Sequence, residues 1–303
     1  MALHIAAPFV GRDRCLEGFF PDSYYQRMDL TRICVVVNAA KPGAGHAQEI
    51  LSAWARQRRI ETVLLDKPLP PDTATAACIV LAMGGDGTVL RAAAWVGALG
   101  IPILGINLGS LGFLTQASIG QLVHALEQIL DDDFAIEERM RLLYEANGVS
   151  GTVLNDLVIQ GVTESRFCEL ELSWGDGVVT SYPGDGLIVS TATGSTAYSL
   201  SAGGPVIVPP AACILATPLA AHRLGVRPVI FPADETLRVV ARTPVRLIAD
   251  GDPAGHLPRT AVVRVTRAAE PSRLLRPATA PSFFDVLDEK LNWADSSPRE
   301  NGA

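Results

Sequence analysis

The feature that most constrains the fold is the alternation of short apolar runs with helical patterns between Thr31 and Leu130. Short, fully apolar runs are typical of strands buried on both faces, and the stretches between them place apolar residues at helical spacing. The predicted strands are Ile33–Val37, Thr62–Leu65, Cys78–Met83 and Ile101–Ile106, and the predicted helices are His46–Arg58, Val89–Leu99 and Ile119–Leu130. Because parallel neighbours need a crossover, this order predicts a parallel sheet covered by helices.

The pattern changes after the acidic stretch Asp131–Asp133, where segments become short, β-branched and separated by turn residues. Segments of this kind are typical of a β-rich domain. The predicted strands here are Val153–Ile159, Phe167–Trp174, Val178–Tyr182, Gly186–Ser190, Pro228–Phe231, Leu237–Val240, Val245–Ile248 and Ala261–Val265.

We therefore expect an α/β domain with a parallel sheet, followed by a β-rich domain, with the active site in the crevice between them. The expected limits are an N-terminal extension over residues 1–27, the α/β domain over 28–135 and the β-rich domain over 136–277. An apolar cluster at helical spacing follows Pro281, so we expect residues 278–303 to contain a helix that packs back on the α/β domain.

Charge and composition exclude several classes of protein. The 303 residues include 25 Lys and Arg against 32 Asp and Glu, a net charge of −7, so no broad basic surface is available for nucleic acid or anionic lipid. The longest apolar run, Ala74–Met83, is much shorter than the roughly 18 residues of a membrane span. No secretory signal is evident at the start, so cytoplasm is the expected location.

Cysteine and histidine usage excludes the common metal sites. The five cysteines (Cys15, Cys34, Cys78, Cys168 and Cys213) are far apart, which predicts reduced thiols rather than a disulfide framework or a zinc site. The five histidines are equally scattered. No imidazole metal cluster is expected.

Several nucleotide and hydrolase signatures are also absent. The only lysines, Lys41, Lys67 and Lys290, are followed by Pro, Pro and Leu, so a Gly-Lys-Ser/Thr phosphate loop cannot exist. No complete Gly-x-Gly-x-x-Gly follows a predicted strand, and neither a protein-kinase catalytic loop nor a Gly-x-Ser-x-Gly elbow is present. Any nucleotide site must therefore be of another kind.

The strongest candidate is the run Gly84-Gly85-Asp86-Gly87-Thr88, between a predicted strand and a predicted helix. Glycines allow a ligand to approach the backbone closely, and the N–H groups that begin a helix bind anions such as phosphate. Asp86 would lie at the carboxyl end of a strand, where open α/β sheets bind ligands. The alternative is an ordinary tight turn with a solvated carboxylate.

Two further polar clusters belong to the same hypothesis. Gly105–Phe113 follows the next predicted strand, and two neighbouring Gly-rich strand ends would form a crevice; the alternative is a plain connection between strand and helix. Asn155-Asp156 lies inside the predicted strand Val153–Ile159, where a polar pair is costly unless it is hydrogen-bonded. A β-bulge or an exposed edge would explain that pair without a ligand.

The most unusual stretch, Thr191–Pro205, is dense in hydroxyl groups and small residues. Hydroxyls and glycine amides can hydrogen-bond ribose or phosphate without adding charge. Tyr198 within it either stacks on a ligand base or anchors the loop in the core. A hydroxyl-rich surface loop is the alternative for the whole stretch. Just upstream, Asp185 lies between two glycines.

Taken in this order and at these separations, the five motifs resemble the NAD kinase family. The resemblance covers about Thr31 to Val265, and Phe283–Trp293 is similar to that family's closing segment. Gly84–Thr88 alone is similar to a motif shared with diacylglycerol-type lipid kinases and phosphofructokinases, whereas Gly194–Tyr198 with Ser201–Pro205 is specific. Ala192 and Asp252 depart from the family pattern, which more often has Pro and Gln there.

The resemblance implies phosphoryl transfer from ATP to the adenosine ribose 2′-hydroxyl of NAD, with Mg²⁺ or another divalent cation. It implies that Asp86 is the catalytic carboxylate and that Gly84, Gly85, Gly87 and Thr88 bind the ATP phosphates. The residues that it implies for binding NAD are Asp86, Gly87, Arg91, Asn155, Asp156, Arg166, Asp185, Thr196, Ala197, Tyr198, Ser199, Leu200 and Ser201. It implies no particular metal ligands.

Two other functions remain open at this point. A diacylglycerol-type lipid kinase would share Gly84–Thr88 and the two-domain plan, although no exposed apolar or basic segment suggests membrane docking. A sensor that binds NAD or NADP without catalysis would be expected to lack Asp86. Family resemblance further suggests a homodimer or homotetramer, with NAD and ATP as the small-molecule partners.

Overall fold

The computed structural model describes residues 29–70, 72–73, 78–162 and 167–292. Within them the chain forms three sheets and five α-helices, the helices being α1 Ala44–Arg58, α2 Asp86–Val96, α3 Leu122–Leu130, α4 Tyr198–Ser201 and α5 Phe283–Leu291. Short 3₁₀ turns precede α3 at Ile119–Gln121 and α4 at Thr193–Thr196. The predicted extension over 1–27 lies outside the described residues.

The first sheet is built from the α/β half of the chain. Its strands are β1 Arg32–Val37, β2 Glu61–Leu64, β3 Cys78–Gly84, β4 Ile103–Asn107, β5 Ala117–Ser118, β6 Phe134–Arg139 and β19 Ser272–Pro277. Their order is β2-β1-β3-β4-β19-β6, with β5 beside β4. All pairs are parallel except β19 with β6, so the sheet is mixed at that edge. Apolar clusters lie on both faces, where the helices pack.

The other two sheets are antiparallel and pack face to face. One has the order β11-β10-β15-β18-β7-β8 and the other β14-β13-β12-β9-β16-β17. A single apolar cluster takes residues from both sheets, which makes this half a β-sandwich. The strands are β7 Leu142–Ala146, β8 Val149–Val153, β9 Asp156–Gly161, β10 Cys168–Trp174, β11 Gly177–Gly184, β12 Gly186–Ser190, β13 Cys213–Leu219, β14 Val229–Pro232, β15 Leu237–Ala241, β16 Val245–Ala249, β17 Asp252–Leu257 and β18 Val262–Arg267.

The predicted α/β half followed by a β-rich half is confirmed, but one predicted strand is wrong. Val153–Ile159 is two strands, because β8 ends at Val153 and β9 begins at Asp156. The backbone N–H groups at this break donate to the side chain of Asp250 instead of to a neighbouring strand. A side chain distant in sequence therefore ends the strand.

Sequence periodicity also did not predict six strands: β5, β6, β7, β13, β17 and β19. β6 carries charged residues at buried positions, Glu137 and Arg139, and Glu137 forms ion pairs with Arg139 and with the half-buried Arg276 of β19. Internal ion pairing lets charged residues occupy a covered strand, a pattern that hydrophobic periodicity does not recognise. As a result, residues from near the end of the chain complete the first sheet between β4 and β6.

Helix α5 lies beside the loop that follows β4. The ring of Phe283 packs on that of Phe113, with centroids 6.0 Å apart, and Ser282 caps the helix by accepting from the N–H of Asp285 at 3.1 Å. Lys290 Nζ lies 3.5 Å from Ser110 Oγ in the same loop. The predicted closing helix is present, and it contacts a loop of the first half of the chain.

Candidate functional site

The run Gly84–Thr88 is the junction between β3 and α2. The first glycine has no room for a side chain, since a Cβ there would lie 2.0 Å from Thr88 Oγ1. Gly85 and Gly87 face open space on their Cβ sides. The N–H groups at the start of α2 are therefore approachable, which is the arrangement that binds an anion at a helix N-terminus.

Asp86 is the first residue of α2, and its carboxylate is not that of a solvated turn. Oδ2 accepts from the backbone N–H of Phe113 and Oδ1 from that of Leu114, both at 2.9 Å. Gly112 permits this approach, because a Cβ there would lie 2.0 Å from Asp86 Oδ1. The side chain is half-buried, so one orientation of the carboxylate is held while part of it faces outward.

The two Gly-rich strand ends lie side by side, as expected for parallel neighbours. Gly84 pairs with Asn107 in the β3–β4 register, and the N–H of Leu108 donates to Gly84 O at 2.8 Å. The buried amide of Asn107 bonds both backbone groups of Gly109, at 2.7 and 2.9 Å. These bonds shape the loop whose later residues hold Asp86.

The polar pair Asn155-Asp156 lies at the break between β8 and β9. Asn155 Oδ1 is buried and has no hydrogen-bond partner within the protein, in a part of the chain that is fully described. A buried amide oxygen without a partner is costly, and a bound ligand that donates a hydrogen bond would remove that cost. The neighbouring Leu154 packs in the same apolar cluster as Leu114, so the break lies against the α/β half.

Asp156 has an altered acidity. Its side chain is 5% exposed, and burial together with the negative charge of Asp250 raises the pKa of Asp156 to about 7. The pKa of Asp250 is also raised by burial, against the effect of the three backbone N–H groups and of Arg141. A carboxyl group that titrates near neutral pH is a common feature of functional sites.

Most hydroxyls of Thr191–Pro205 bond within the protein. Thr191 Oγ1 donates to Leu154 O at 2.6 Å, Ser195 Oγ joins Ala192 O and Ile207 N, and Ser199 Oγ lies 2.7 Å from Thr217 Oγ1. These three hydroxyls are hydrogen-bonded within the protein, where they shape the loop. A Cβ on Gly194 would lie 2.1 Å from Asn155 O, so this loop and the Asn155 break are in direct contact.

The exposed part of the same stretch is short. Tyr198 is 46% exposed, and Ser201 is exposed, whereas Thr196, Ala197 and Leu200 are half-buried. Tyr198 is therefore not a fully buried core anchor, because close to half of its surface is exposed. Ser199 is fully buried and bonded to Thr217, so its side chain supports the loop from inside.

The remaining predicted residues are Arg91, Asp185 and Arg166. Arg91 is exposed on α2 and donates to Val37 O at 3.2 Å, beside the end of β1. Asp185 is half-buried and precedes β12 at its Gly186 end, whereas Asp156 pairs with Ser190 at the other end. Nothing in the described residues brings Asp185 to Asp86, and Arg166 lies outside them.

Sequence reasoning missed the residues that hold the site together. They are the amides of Phe113 and Leu114 and the carboxylate of Asp250, whose partners lie 27 to 96 residues away. The Asp-Gly dipeptide at Asp250, a hairpin-turn signal between two predicted strands, was the one local sign that a carboxylate would lie at a strand end.

Metal and membrane features are limited. Within the described ranges, no three His, Cys, Asp or Glu side chains come together as a metal site. Cys34, Cys78, Cys168 and Cys213 are free and buried, and Cys15 lies outside the described ranges. No helix in the described part of the chain is long and apolar enough to cross a membrane.

Comparison with known proteins gives consistent results. The ATP-NAD kinase N-terminal domain matches residues 69–134 and the ATP-NAD kinase C-terminal domain matches residues 154–276. The NAD kinase of Moorella thermoacetica is 38% identical over 284 residues, covering 88% of this chain and 91% of that one. The NAD kinase of Symbiobacterium thermophilum is 44% identical over 225 residues, covering 71% and 78%.

Solved structures match over most of their length. An NAD kinase from Archaeoglobus fulgidus, in complex with ATP, superposes with a TM-score of 0.69 at 25% identity, covering 81% of this chain and 94% of that one. Yeast NADH kinase complexed with NADH has the same fold, with a TM-score of 0.76 at 21% identity over 90% of each chain. Two matched domains and relatives above 30% identity over most of their length place this chain in the ATP-NAD kinase family.

Proposed function

We propose that the chain phosphorylates the adenosine ribose 2′-hydroxyl of NAD with ATP, giving NADP and ADP. The observation that carries the proposal is Asp86, an oriented carboxylate at the start of a helix, between glycines that leave the backbone open. Phosphoryl transfer needs positioning and charge stabilisation rather than a covalent intermediate. Here the oriented Asp86 carboxylate would position the acceptor hydroxyl, and the N–H groups at the start of α2 would stabilise the charge of the phosphates.

The phosphate side of the reaction is assigned to Gly84, Gly85, Gly87 and Thr88. The N–H groups of the first turn of α2 stabilise the negative charge of the ATP phosphates, and the helix dipole adds to this. The three lysines of the chain are outside Gly84–Thr88, but Lys290 Nζ lies 3.5 Å from Ser110 Oγ in the loop that holds Asp86. Backbone amides, arginines, Lys290 and a cation are therefore the groups that can supply the remaining positive charge.

Asp86 accepts the proton of the 2′-hydroxyl as a general base. Each carboxylate oxygen uses one lone pair for a backbone N–H and keeps another for the acceptor. Two N–H bonds also fix the plane of the carboxylate before substrate arrives, which reduces the ordering needed in the transition state.

The residues present fit a divalent cation that is held mainly by the substrate. Mg²⁺ in such sites takes one or two carboxylates plus phosphate oxygens and water. Asp86 is the carboxylate of the phosphate loop, and within the described residues no larger cluster exists. When bound, the cation would neutralise charge on the transferring phosphoryl group.

Recognition of NAD is assigned to the loops that meet at Asn155. Asn155 Oδ1 offers its unused acceptor to a donor of the adenosine, and Asp156 lies beside it. The segment Thr196–Ser201 forms the neighbouring wall, with the exposed ring of Tyr198 available for stacking on a base. The resemblance to NAD kinases supports three further NAD contacts, which are Arg91, Asp185 and Arg166.

The testing experiment is a direct assay of the purified protein. Incubation with ATP, Mg²⁺ and NAD should yield NADP and ADP in equal amounts, while diacylglycerol in place of NAD should consume no ATP. Product from diacylglycerol alone would favour the lipid-kinase alternative. NAD binding with no turnover under any donor would favour the sensor.

Assembly, location and domain limits complete the proposal. We propose that the protein is a homodimer or homotetramer and that it is located in the cytoplasm. Sedimentation at working concentration should show a particle larger than one 32.1 kDa chain. We also propose a division near residues 135 and 277, with β6 and β19, the strands at these limits, both belonging to the first sheet. Limited proteolysis that cuts first inside the sandwich, rather than near these limits, would contradict that division.

A further inference from the structure

A buried carboxylate outside the assigned site organises the break that carries Asn155 and Asp156. Asp250 occupies the turn between β16 and β17, where it and Gly251 both have positive φ, at 47° and 91°. Its Oδ2 accepts from the N–H of Leu154 at 2.8 Å. Its Oδ1 accepts from the N–H groups of Asn155 at 2.8 Å and Asp156 at 3.1 Å.

The contact is reciprocal, because the N–H of Asp250 donates to Asp156 O at 2.9 Å. Four hydrogen bonds thus join one residue to three consecutive residues about 95 positions earlier in the chain. Three successive N–H groups that converge on a carboxylate form a concave anion nest, and a carboxylate that receives several N–H bonds is held rigidly. This arrangement turns the chain sharply at the residue whose amide oxygen is unpartnered.

A buried arginine connects the same region to the helix of Asp86. Arg141 is 4% exposed, and its Nη1 donates to Gly97 O at 2.8 Å, just past the end of α2. Its Nη2 donates to Thr152 Oγ1 on β8. Arg141 thus joins β8 to the end of α2, and its positive charge acts against the burial that raises the pKa of Asp250.

We propose that Asp250, with Arg141 as its counter-charge, is a positioning residue. It holds the Asn155–Asp156 break in place relative to α2, and this fixes the position of the NAD site relative to Asp86. This rests on the proposed function, because it assigns how that site is ordered. It adds a role for two residues to which the resemblance assigns no contact with a nucleotide or a phosphate.

The negative charge of Asp250 also affects the pKa of Asp156. The groups that face this pair are Arg141, before β7, and Tyr144, on β7, whose own pKa is raised by burial and by the charge of Asp250. Because the two carboxyl groups are close, they titrate as a pair rather than singly. Removing the Asp250 charge should therefore lower the pH at which Asp156 becomes ionised and able to accept from a ribose hydroxyl.

The test is kcat and KM for NAD as a function of pH in the wild type and in Asp250→Asn. An amide matches the carboxylate in size but presents an NH₂ group to one of the three N–H donors. We expect KM for NAD to rise by about tenfold or more, kcat to change less, and the acid limb of kcat/KM, near pH 7 in the wild type, to move to lower pH. The control is Asp176→Asn, at the exposed turn of another sandwich hairpin, which should behave as wild type.

A second variant gives an independent result with the opposite sign. Arg141→Gln removes the counter-charge, so the carboxyl pair should hold its proton to higher pH and the acid limb should move up. An unmoved limb in both variants, with KM for NAD unchanged, overturns the proposal. Failure of both neutral variants to fold also counts against it, because it would assign the pair to the fold rather than to the site.

The outcomes separate this inference from the proposed function. If the wild type neither binds nor phosphorylates NAD, the proposed function fails, and calorimetry with NAD shows this before any variant is made. If the wild type is active and Asp250→Asn keeps its pH profile and KM, the positioning role alone fails.

Discussion

At the scale of single residues, Asp86 combines two properties that an ordinary turn aspartate lacks. It begins a helix, and both carboxylate oxygens receive backbone N–H bonds from a loop 27 and 28 residues further along. Those bonds fix its direction without using all of its acceptor capacity. The carboxylate is thereby oriented toward one partner before that partner binds.

Asp86→Asn should lower kcat by about 10²- to 10⁴-fold, the usual loss when a general base is removed. The circular dichroism spectrum should stay native, although the amide faces two N–H donors and some stability is lost. Asp66→Asn, on an exposed loop, is the matched control. Turnover close to wild type in Asp86→Asn would exclude Asp86 as the base.

The exposure of Tyr198 favours a role in ligand contact over a role in the core. With 46% of its surface exposed, Tyr198→Ala leaves little cavity, so the melting temperature should change little while KM for NAD rises several-fold as stacking is lost. Tyr182, 1% exposed in the sandwich core, is the contrasting position, where the same change should cost about 3 kcal/mol or more. Normal NAD affinity in Tyr198→Ala would remove that residue from the site.

The raised pKa of Asp156 predicts how the stability of the protein depends on pH. The pKa of Asp156 is raised to about 7 in the folded protein, above the ordinary value of 3.8, so the folded state binds a proton more tightly than the unfolded state. The stabilisation is present at low pH and is lost as pH rises through about 7. Ligand-free protein should melt at higher temperature at about pH 5 than at about pH 8, and Asp156→Asn should flatten this dependence. An unchanged slope in that variant would mean that another group titrates.

At the scale of elements, the loop between β4 and β5 orients the catalytic carboxylate. Gly112→Ala would place a Cβ 2.0 Å from Asp86 Oδ1, so the carboxylate or the loop must shift, which disturbs the two N–H bonds that orient the carboxylate. We expect a large loss of kcat with the fold retained. Gly120→Ala, where the nearest atom lies 3.9 Å away, is the control. Equal activity in the two variants would show that the orientation of Asp86 does not depend on this loop.

Local pattern predicted the elements of the first half well, because each strand and helix there is a continuous apolar or amphipathic run. Three of its failures share a physical cause. β6 and β19 lie in a covered sheet although they carry charged residues, because these charges pair with one another, as Glu137 does with Arg276. The break at Leu154 depends on the carboxylate of Asp250, which belongs to another hairpin. Periodicity records which side chains are covered, and it carries no record of the partner that covers or pairs with them.

At the scale of the whole molecule, the two halves are interlocked rather than joined end to end. β19 leaves the sandwich and enters the first sheet between β4 and β6, with Leu274 and Leu275 fully buried. Leu154 and Arg141 of the second half pack on or bond to the first. Motion of one half against the other would have to break these contacts.

A chain that stops after residue 271 should therefore fail to fold cooperatively, because the first sheet loses the strand between β4 and β6. Chemical denaturation followed by tryptophan fluorescence should show no sharp transition. A chain that stops after residue 292, which keeps every described strand and helix, should unfold in one cooperative step. A cooperative transition in the shorter chain would show that β19 is dispensable.

The sequence by itself determined the α/β-then-β order of the chain, the Gly-Gly-Asp-Gly-Thr junction between strand and helix, and the motifs that resemble NAD kinases. These are properties of neighbouring residues, and burial periodicity and turn chemistry act over only a few positions. The tertiary structure decided that Asp86 is held by the amides of Phe113 and Leu114 and that Asp250 ends a strand at Leu154. Each of these joins residues 27 to 96 positions apart, and such pairs are selected by how the packed sheets bring strand ends together, since no local preference extends that far.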